Sequence, residues 1–461
     1  MEIGTIQKTI KLFKETLEGL HADIALLKLE GLAIMVHKAM TVHARYFHTP
    51  EHIFSLSDAS NPIQALAALY HDIVYYQVDE GFIPEIQTFV APYVRENDRQ
   101  LFLTASVDPA DAAFSRTLAV FAFRPGQRLT PLEGQNEFLS ALTLNKSLEG
   151  IVNAQDLLKA TVCIEATIPF RGINARGESP ADVLERRLTT INADHDYGMS
   201  AEEIAQTVEM AVALSNRDVA SFAEKDTALF LDGTWLLLPE TNPSLRLKGI
   251  YTIRNYRQAL QNMAGFLNFL NPDVIFNRYH DTPPIKTYTE MVRLAHQNVH
   301  TAREYLNIKL LTAAILEALA ELTGGDAPMA LFMGDIDTGD TDYAHIEDFL
   351  PLPSPSRLED EDSPIFRLLA YGRASSSSFD MSNSPLAAFI YRHLGMEDSK
   401  CMLELAESMF DGQLDPETFL DKLPTSLIVP VVTACAVMAT TRSVALRRYL
   451  AHKMPAVEST A

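Results

Sequence analysis

Apolar residues recur at three- and four-residue intervals along most of the chain, the period of an amphipathic helix. Over residues 2–45, Ile10, Leu12, Phe13, Leu17 and Leu20 keep this spacing, followed by Ile24, Leu26, Leu27 and Leu32. Alanine-rich segments at 62–76, 201–223, 252–270, 285–322, 385–394 and 400–410 carry it further. Strand signals are sparse. Thr117 to Phe123, with its β-branched and aromatic residues, reads as a strand. Ala160 to Phe170 reads as a buried helix followed by a loop, and Arg124-Pro-Gly, Arg171-Gly and Arg176-Gly mark turns. The pattern predicts a mainly α fold, built as a helical bundle with further helical segments towards the C-terminus.

At 461 residues the chain exceeds the size at which one core stops growing. The expected division is 1–240, 241–350, 351–384 and 385–461. The first part holds the candidate chemistry, with 81–150 as an insertion. The second is a helical companion and the last a C-terminal helical segment. Residues 351–364 are proline-rich and acidic and Ser375 to Ser378 are consecutive serines, so 351–384 reads as a flexible linker.

The strongest local signal is Arg45-Tyr-Phe-His48-Thr-Pro-Glu-His52, followed by His71-Asp72. Thr49-Pro50 and Asn61-Pro62 are each a cap residue followed by a first-turn proline, so two helices are expected to start there. The second would run through His71-Asp72 to Tyr75 and is almost wholly apolar before that pair. A buried aspartate beside a histidine is costly unless a cation or a hydrogen-bond partner offsets it. Imidazole and carboxylate suit zinc, iron or manganese. The alternative is a hydrogen-bonded structural pair.

Tyr46-x-His48-x3-His52 followed by His71-Asp72-x-Val74-Tyr75 resembles the HD superfamily of metal-dependent phosphohydrolases. It is closest to members with a Y-H-x3-H motif and more distantly similar to the cyclic nucleotide phosphodiesterases. The resemblance covers residues 45–80 well and 160–223 faintly. It implies an HD-like helical domain in which His52, His71 and Asp72 bind a divalent metal (zinc, manganese, iron or magnesium). It also implies that His48 protonates the leaving oxygen. Two departures stand out. Phe47 separates Tyr46 from His48, and Tyr75 stands where the phosphodiesterases carry a histidine for a second metal. A mononuclear site is therefore expected, although Asp79 and Glu80 could supply further carboxylates.

The superfamily also uses a distant aspartate, and both Asp218 and Asp194 are candidates. Asp218 lies within an apolar helical pattern, where a carboxylate needs a partner. Asp194 lies in Asn192-Ala-Asp194-His-Asp196, which reads as a capped loop. Asp218 is preferred. Glu165-Ala-Thr167-Ile-Pro-Phe-Arg171 resembles the short segment before the last helices of HD domains. Thr167 and Arg171 are therefore candidates for substrate phosphate, since a guanidinium matches two phosphate oxygens. A salt bridge that fastens the loop is the competing role for Arg171.

Charge narrows the partners. A formal net charge of −22 excludes a broad basic face for a nucleic-acid duplex. It does not exclude a small phosphorylated substrate, because a bound cation sets the local field. Cys163, Cys401 and Cys435 are dispersed and odd in number, which fits a reducing compartment. No basic-then-apolar leader is visible. The most apolar run, Leu427 to Thr441, is shorter than the ~20 residues of a membrane span. Cytoplasm and no membrane partner are expected, with a homo-oligomer left open. Two other functions compete with hydrolysis. One is an HD-type di-iron oxygenase, which needs more ligands. The other is a non-catalytic scaffold, with the aromatic series Tyr251, Tyr256, Phe266 and Phe269 lining a partner groove.

Overall fold

The computed structural model describes residues 3–453 except 59, 109, 248, 336–342 and 352–362. Among the described residues there are 20 α-helices beside one small three-stranded sheet, and 67% of the structure is helical. The mainly α expectation holds. Two compact units form: residues 1–223 with 271–296, and 224–270 with 297–461. The first break therefore falls at Ala223 rather than 240, and 385–461 belongs to the same unit as 224–270 instead of standing apart.

The first unit contains α1 (Thr5–Gly19), α2 (Leu26–Met40), α3 (Pro50–Leu56), α4 (Pro62–Tyr70), α5 (Tyr76–Asp79) and α6 (Pro84–Val90). Strands β1 (Val94–Asn97), β2 (Gln100–Leu103) and β3 (Arg128–Leu129) form an antiparallel sheet in sequence order. Helices α7 (Ala112–Phe121), α8 (Gln135–Ser147), α9 (Ala154–Ala166), α10 (Pro180–Asp194) and α11 (Ala201–Asp218) complete it, apart from residues 271–296. Helix α4 is the hub: it packs on α1 and α9, and Leu66, Leu69 and Tyr70 are fully enclosed. Each buried leucine there contributes about 1.5–3 kcal/mol from apolar burial.

Residues 117–121 are helical, not a strand. Asp111 accepts a hydrogen bond from the Phe114 N–H at 2.9 Å, and this cap starts α7 upstream of the β-branched residues. The 81–150 stretch shares the core of the first unit. Phe138 and Leu142 of α8 sit at 0% exposure in the common core.

The second unit contains α12 (Thr227–Thr241), α13 (Ile253–Phe269) and most of α14 (Ile285–Thr323). Next come α15 (Met329–Met333), α16 (Pro364–Tyr371), α17 (Pro385–Phe410), α18 (Pro416–Lys422), α19 (Thr425–Met438) and α20 (Ser443–Lys453). Of the expected linker, 352–362 lies outside the described residues. Residues 373–384 are fastened rather than loose. Phe379 is fully enclosed, Arg373 is buried, and Arg373 N–H donates to the Ser382 carbonyl at 2.9 Å. The apolar 427–441 run forms α19, with Leu427, Ile428 and Val432 enclosed. Among the described residues no single helix is long and apolar enough to cross a membrane.

Candidate metal centre

The site is assembled where three chain segments meet. Pro50 occupies the first position of α3 and brings His52 into its first turn. Asn61 caps α4 by accepting from Gln64 N–H at 3.1 Å, with Pro62 next. Helix α4 ends at Tyr70, not Tyr75, which leaves His71 and Asp72 at its C-terminal edge. Asp218 is the last residue of α11, whose start is fixed by a reciprocal Ser200–Glu203 cap.

The break after α4 has its backbone groups satisfied from other elements, as buried peptide groups require. Arg45 donates to the Asp72 carbonyl at 2.6 Å and the Ile73 carbonyl at 3.4 Å. Ser140 Oγ accepts from Val74 N–H at 3.1 Å, and Asn136 accepts from Tyr76 N–H at 3.2 Å. Arg45 is in turn gripped by Asp79 through Nε at 2.8 Å and Nη2 at 2.6 Å. Asp79 is therefore a brace for the His–Asp turn, and Glu80 is exposed on a left-handed residue. Neither joins the histidines.

His52, His71, Asp72 and Asp218 each offer one ligand atom, all within 4.8 Å of one another. His52 Nε2 lies 3.0 Å from Asp218 Oδ1 and 3.5 Å from Asp72 Oδ2. His71 Nε2 lies 2.9 Å from Asp72 Oδ2 and 3.4 Å from Asp218 Oδ1, and the two Nε2 atoms are 3.4 Å apart. Ligand bonds of ~2.1 Å place neighbouring donor atoms roughly 3.0–3.4 Å apart in tetrahedral or octahedral shells. The four donors fit one divalent cation on spacing and on chemistry. The ring of His71 is turned the right way for ligation, since Nδ1 donates to the Ala68 carbonyl at 2.9 Å and so leaves Nε2 for the cluster. His71 is 1% exposed, whereas Asp72 and Asp218 are 21% and 16% exposed, so the cluster opens on its carboxylate side.

Without a cation, protons take its place. Burial by itself would push His52 down, but Asp218 and Asp72 outweigh it and lift His52 to about 9. His71 follows the same balance: burial opposes the charge, and Asp72 and Asp218 raise it well above the usual imidazole range. Burial would raise both carboxyls, yet the histidines hold Asp72 well below, and Asp218 below, the usual carboxylate range. Two acids and two protonated imidazoles thus neutralise each other, as a cation would neutralise the acids.

The other sequence candidates lie as follows. His48 is half-buried at the edge of the cluster, its ring 6.0 Å from that of His52 and 4.7 Å, edge-on, from that of Tyr75. Asp194 is exposed at the C-terminal end of α10 and stays outside the cluster, because Asp218 on α11 reaches the histidines instead. Arg171 is spent on its own turn, with Nη1 2.8 Å from Glu165 Oε1 and Nη2 2.9 Å from the Glu165 carbonyl. Thr167 is buried and donates to the Ile164 carbonyl at 2.8 Å. Both take the loop-fastening role rather than presenting donors to a ligand.

Sequence reasoning passed over Glu137, in the first turn of α8 between the two residues that hold the 74–76 segment. Its Oε2 is buried and has no hydrogen-bond partner among the described residues. Burial first, then the charges of Asp72 and Asp218, push its carboxyl up to about 8. An acid in the first turn of a helix is commonplace, so nothing in the sequence singles it out.

No family model matches the chain, and no curated protein or solved structure does either.

Proposed function

We propose that this chain is a metal-dependent phosphohydrolase acting on a nucleotide or another small phosphate ester. The observation that carries the reading is the convergence of His52, His71, Asp72 and Asp218 within 4.8 Å, open to solvent through the two carboxylates. The HD-like motif around His48, His52 and His71-Asp72 gives the reaction class. A divalent cation held there would polarise a phosphoryl oxygen and lower the pKa of its water towards ~7. The chain's own groups supply the rest. His71 is held in one orientation by the Ala68 carbonyl, and Arg45 fixes the turn that carries Asp72. His48, at the rim, would give a proton to the departing oxygen. Glu137 is a buried carboxyl able to hold or release a proton beside the carboxylate pair.

A di-iron oxygenase finds less support, since Asp79 is bound to Arg45 and Asp194 is exposed. The buried free thiols Cys163 and Cys435 agree with a reducing, cytoplasmic setting. The deciding experiment is metal analysis of the purified chain together with hydrolysis of bis(p-nitrophenyl) phosphate and of nucleoside monophosphates. About one equivalent of metal, and turnover that disappears in His71→Ala and Asp72→Asn, is expected. Turnover that survives in a metal-free double variant defeats the reading. A chain that carries no metal and binds none when supplied points to the scaffold alternative.

A further inference from the structure

The second unit contains a cavity of about 90 Å³, whose lining includes Tyr251, Tyr256, Leu316, Phe379, Met381 and Glu347. A water needs roughly 10–15 Å³ of such space, so there is room for about half a dozen or more heavy atoms. Lys309 and Asp380 also border it, and their charges are already matched. The Lys309 ammonium lies 2.7 Å from Asp380 Oδ2 and 2.8 Å from Ser384 Oγ. It also sits over the rings of Trp235, Tyr256 and Tyr305 at 5.2, 5.6 and 6.0 Å. Asp380 Oδ2 accepts in addition from Trp235 Nε1 at 2.8 Å, Tyr256 at 3.1 Å and Arg373 at 3.3 Å. Arg373 is balanced by Asp232 at 3.4 Å. This end of the cavity is a rigid, neutral wall.

Glu347 differs. It borders the same cavity, half-buried, and among the described residues no lysine or arginine pairs with it. Among the described residues the Glu347 charge is met by His345 rather than by a lysine or arginine, so the cavity carries one acid that no fixed cation among them offsets, while tyrosine, phenylalanine and methionine supply polarisable apolar walls. Such walls receive an apolar body, and the lone carboxylate selects the charge at its end.

We infer that this cavity is a binding site for a small organic amine with an apolar body, its ammonium paired with Glu347 and its body against Tyr251, Phe379 and the methionines. The inference does not rest on the metal centre or on the phosphohydrolase reading.

The chain has a single tryptophan, Trp235, hydrogen-bonded to the Asp380 that borders the cavity, so intrinsic fluorescence reports on it directly. The full-length chain is titrated with 2-phenylethylamine, 2-phenylethanol and phenylacetate, with calorimetry as a second readout. Saturable binding of the amine is expected, at least tenfold tighter than the alcohol, with phenylacetate weakest. In Glu347→Gln the amine should lose at least tenfold in affinity while the alcohol is unchanged. The comparison among the three probes on the unmodified chain decides the question even if that variant fails to fold. Equal binding of amine and alcohol, tighter binding of phenylacetate, or no binding of any probe overturns the inference.

Discussion

His52 Nε2 and Asp218 Oδ1 lie 3.0 Å apart although 166 residues separate them in the chain. That single approach closes the candidate metal centre, because His52, His71 and Asp72 come from neighbouring helices and need a fourth donor from elsewhere. It requires α11 to end at Asp218 beside α3 and α4, all within the first unit. Asp218→Asn should therefore lower bound metal from about one equivalent to a small fraction and reduce phosphate-ester hydrolysis at least ~100-fold. Asp194→Asn should leave both unchanged, since Asp194 is exposed outside the cluster. Elemental analysis of the two variants side by side checks this, and metal loss in Asp194→Asn alone would reverse the assignment.

The protons on the histidines set a pH dependence with a definite sign. In the chelated chain the His52 pKa is raised to about 9, above its ordinary 6.5. Its contribution to stability is complete below about pH 6.5 and is lost as pH rises through about 9. The lowered carboxyls of Asp72 and Asp218 work oppositely, stabilising above the usual carboxylate range and failing as pH falls below it. Denaturant titration should thus find the chelated chain less stable at pH 9 than at pH 6. Zinc should reverse the trend, because it competes with those protons and binds more tightly as they leave. Calorimetry at pH 7 in buffers of different ionisation enthalpy should register proton release on zinc binding. Zinc binding without proton release would contradict the protonated cluster.

Arg45 and Asp79 make a buried two-point ion pair whose purpose is read from what else Arg45 touches, the carbonyls of Asp72 and Ile73. Removing one member leaves the other charge buried. Asp79→Asn should cost about 3–5 kcal/mol of stability. The loosened turn should weaken metal binding about 10–100-fold, the usual effect of losing a group that orients a ligand. Chemical denaturation and a competitive chelator titration measure the two effects separately. Full metal affinity in a destabilised Asp79→Asn would confine the pair to a stabilising role.

The parts of this site that were legible in sequence are the local ones. His48, His52 and His71-Asp72 lie close together in the chain, and the two cap-plus-proline starts announced their helices. Asp218 showed only as a carboxylate in an apolar helix, a misfit that says a partner is needed without naming it. Its competition with Asp194 is settled by packing that no spacing encodes. Arg45 stood inside the motif, yet its grip on Asp79 across 34 positions was invisible. The segment 117–123 misled because β-branched composition is a weaker influence than the Asp111 cap and the core that α7 joins. Four serines at 375–378 suggested looseness, whereas Phe379, next in line, is anchored in the core of the second unit.

Glu137 offers the sharpest separation between a catalytic acid–base and a passive buried acid. Its pKa, raised to about 8 from an ordinary 4.5, means the folded chain favours the protonated carboxyl. Its effect on stability therefore declines as pH rises from about 4.5 to about 8, and Glu137→Gln should remove that slope whatever the residue does. Catalysis adds a second consequence. A group that exchanges a proton in the reaction contributes typically 10²–10⁴-fold, so Glu137→Gln should lower kcat by roughly 100-fold or more. It should also remove a limb of the pH–rate profile, with metal content intact. A passive acid predicts a different result: the stability slope disappears while the rate and its pH profile stay as they were. Measuring denaturation and hydrolysis across pH 5–9 on the same variant distinguishes the two, because only a proton-transfer role couples the stability change to a change in the rate profile.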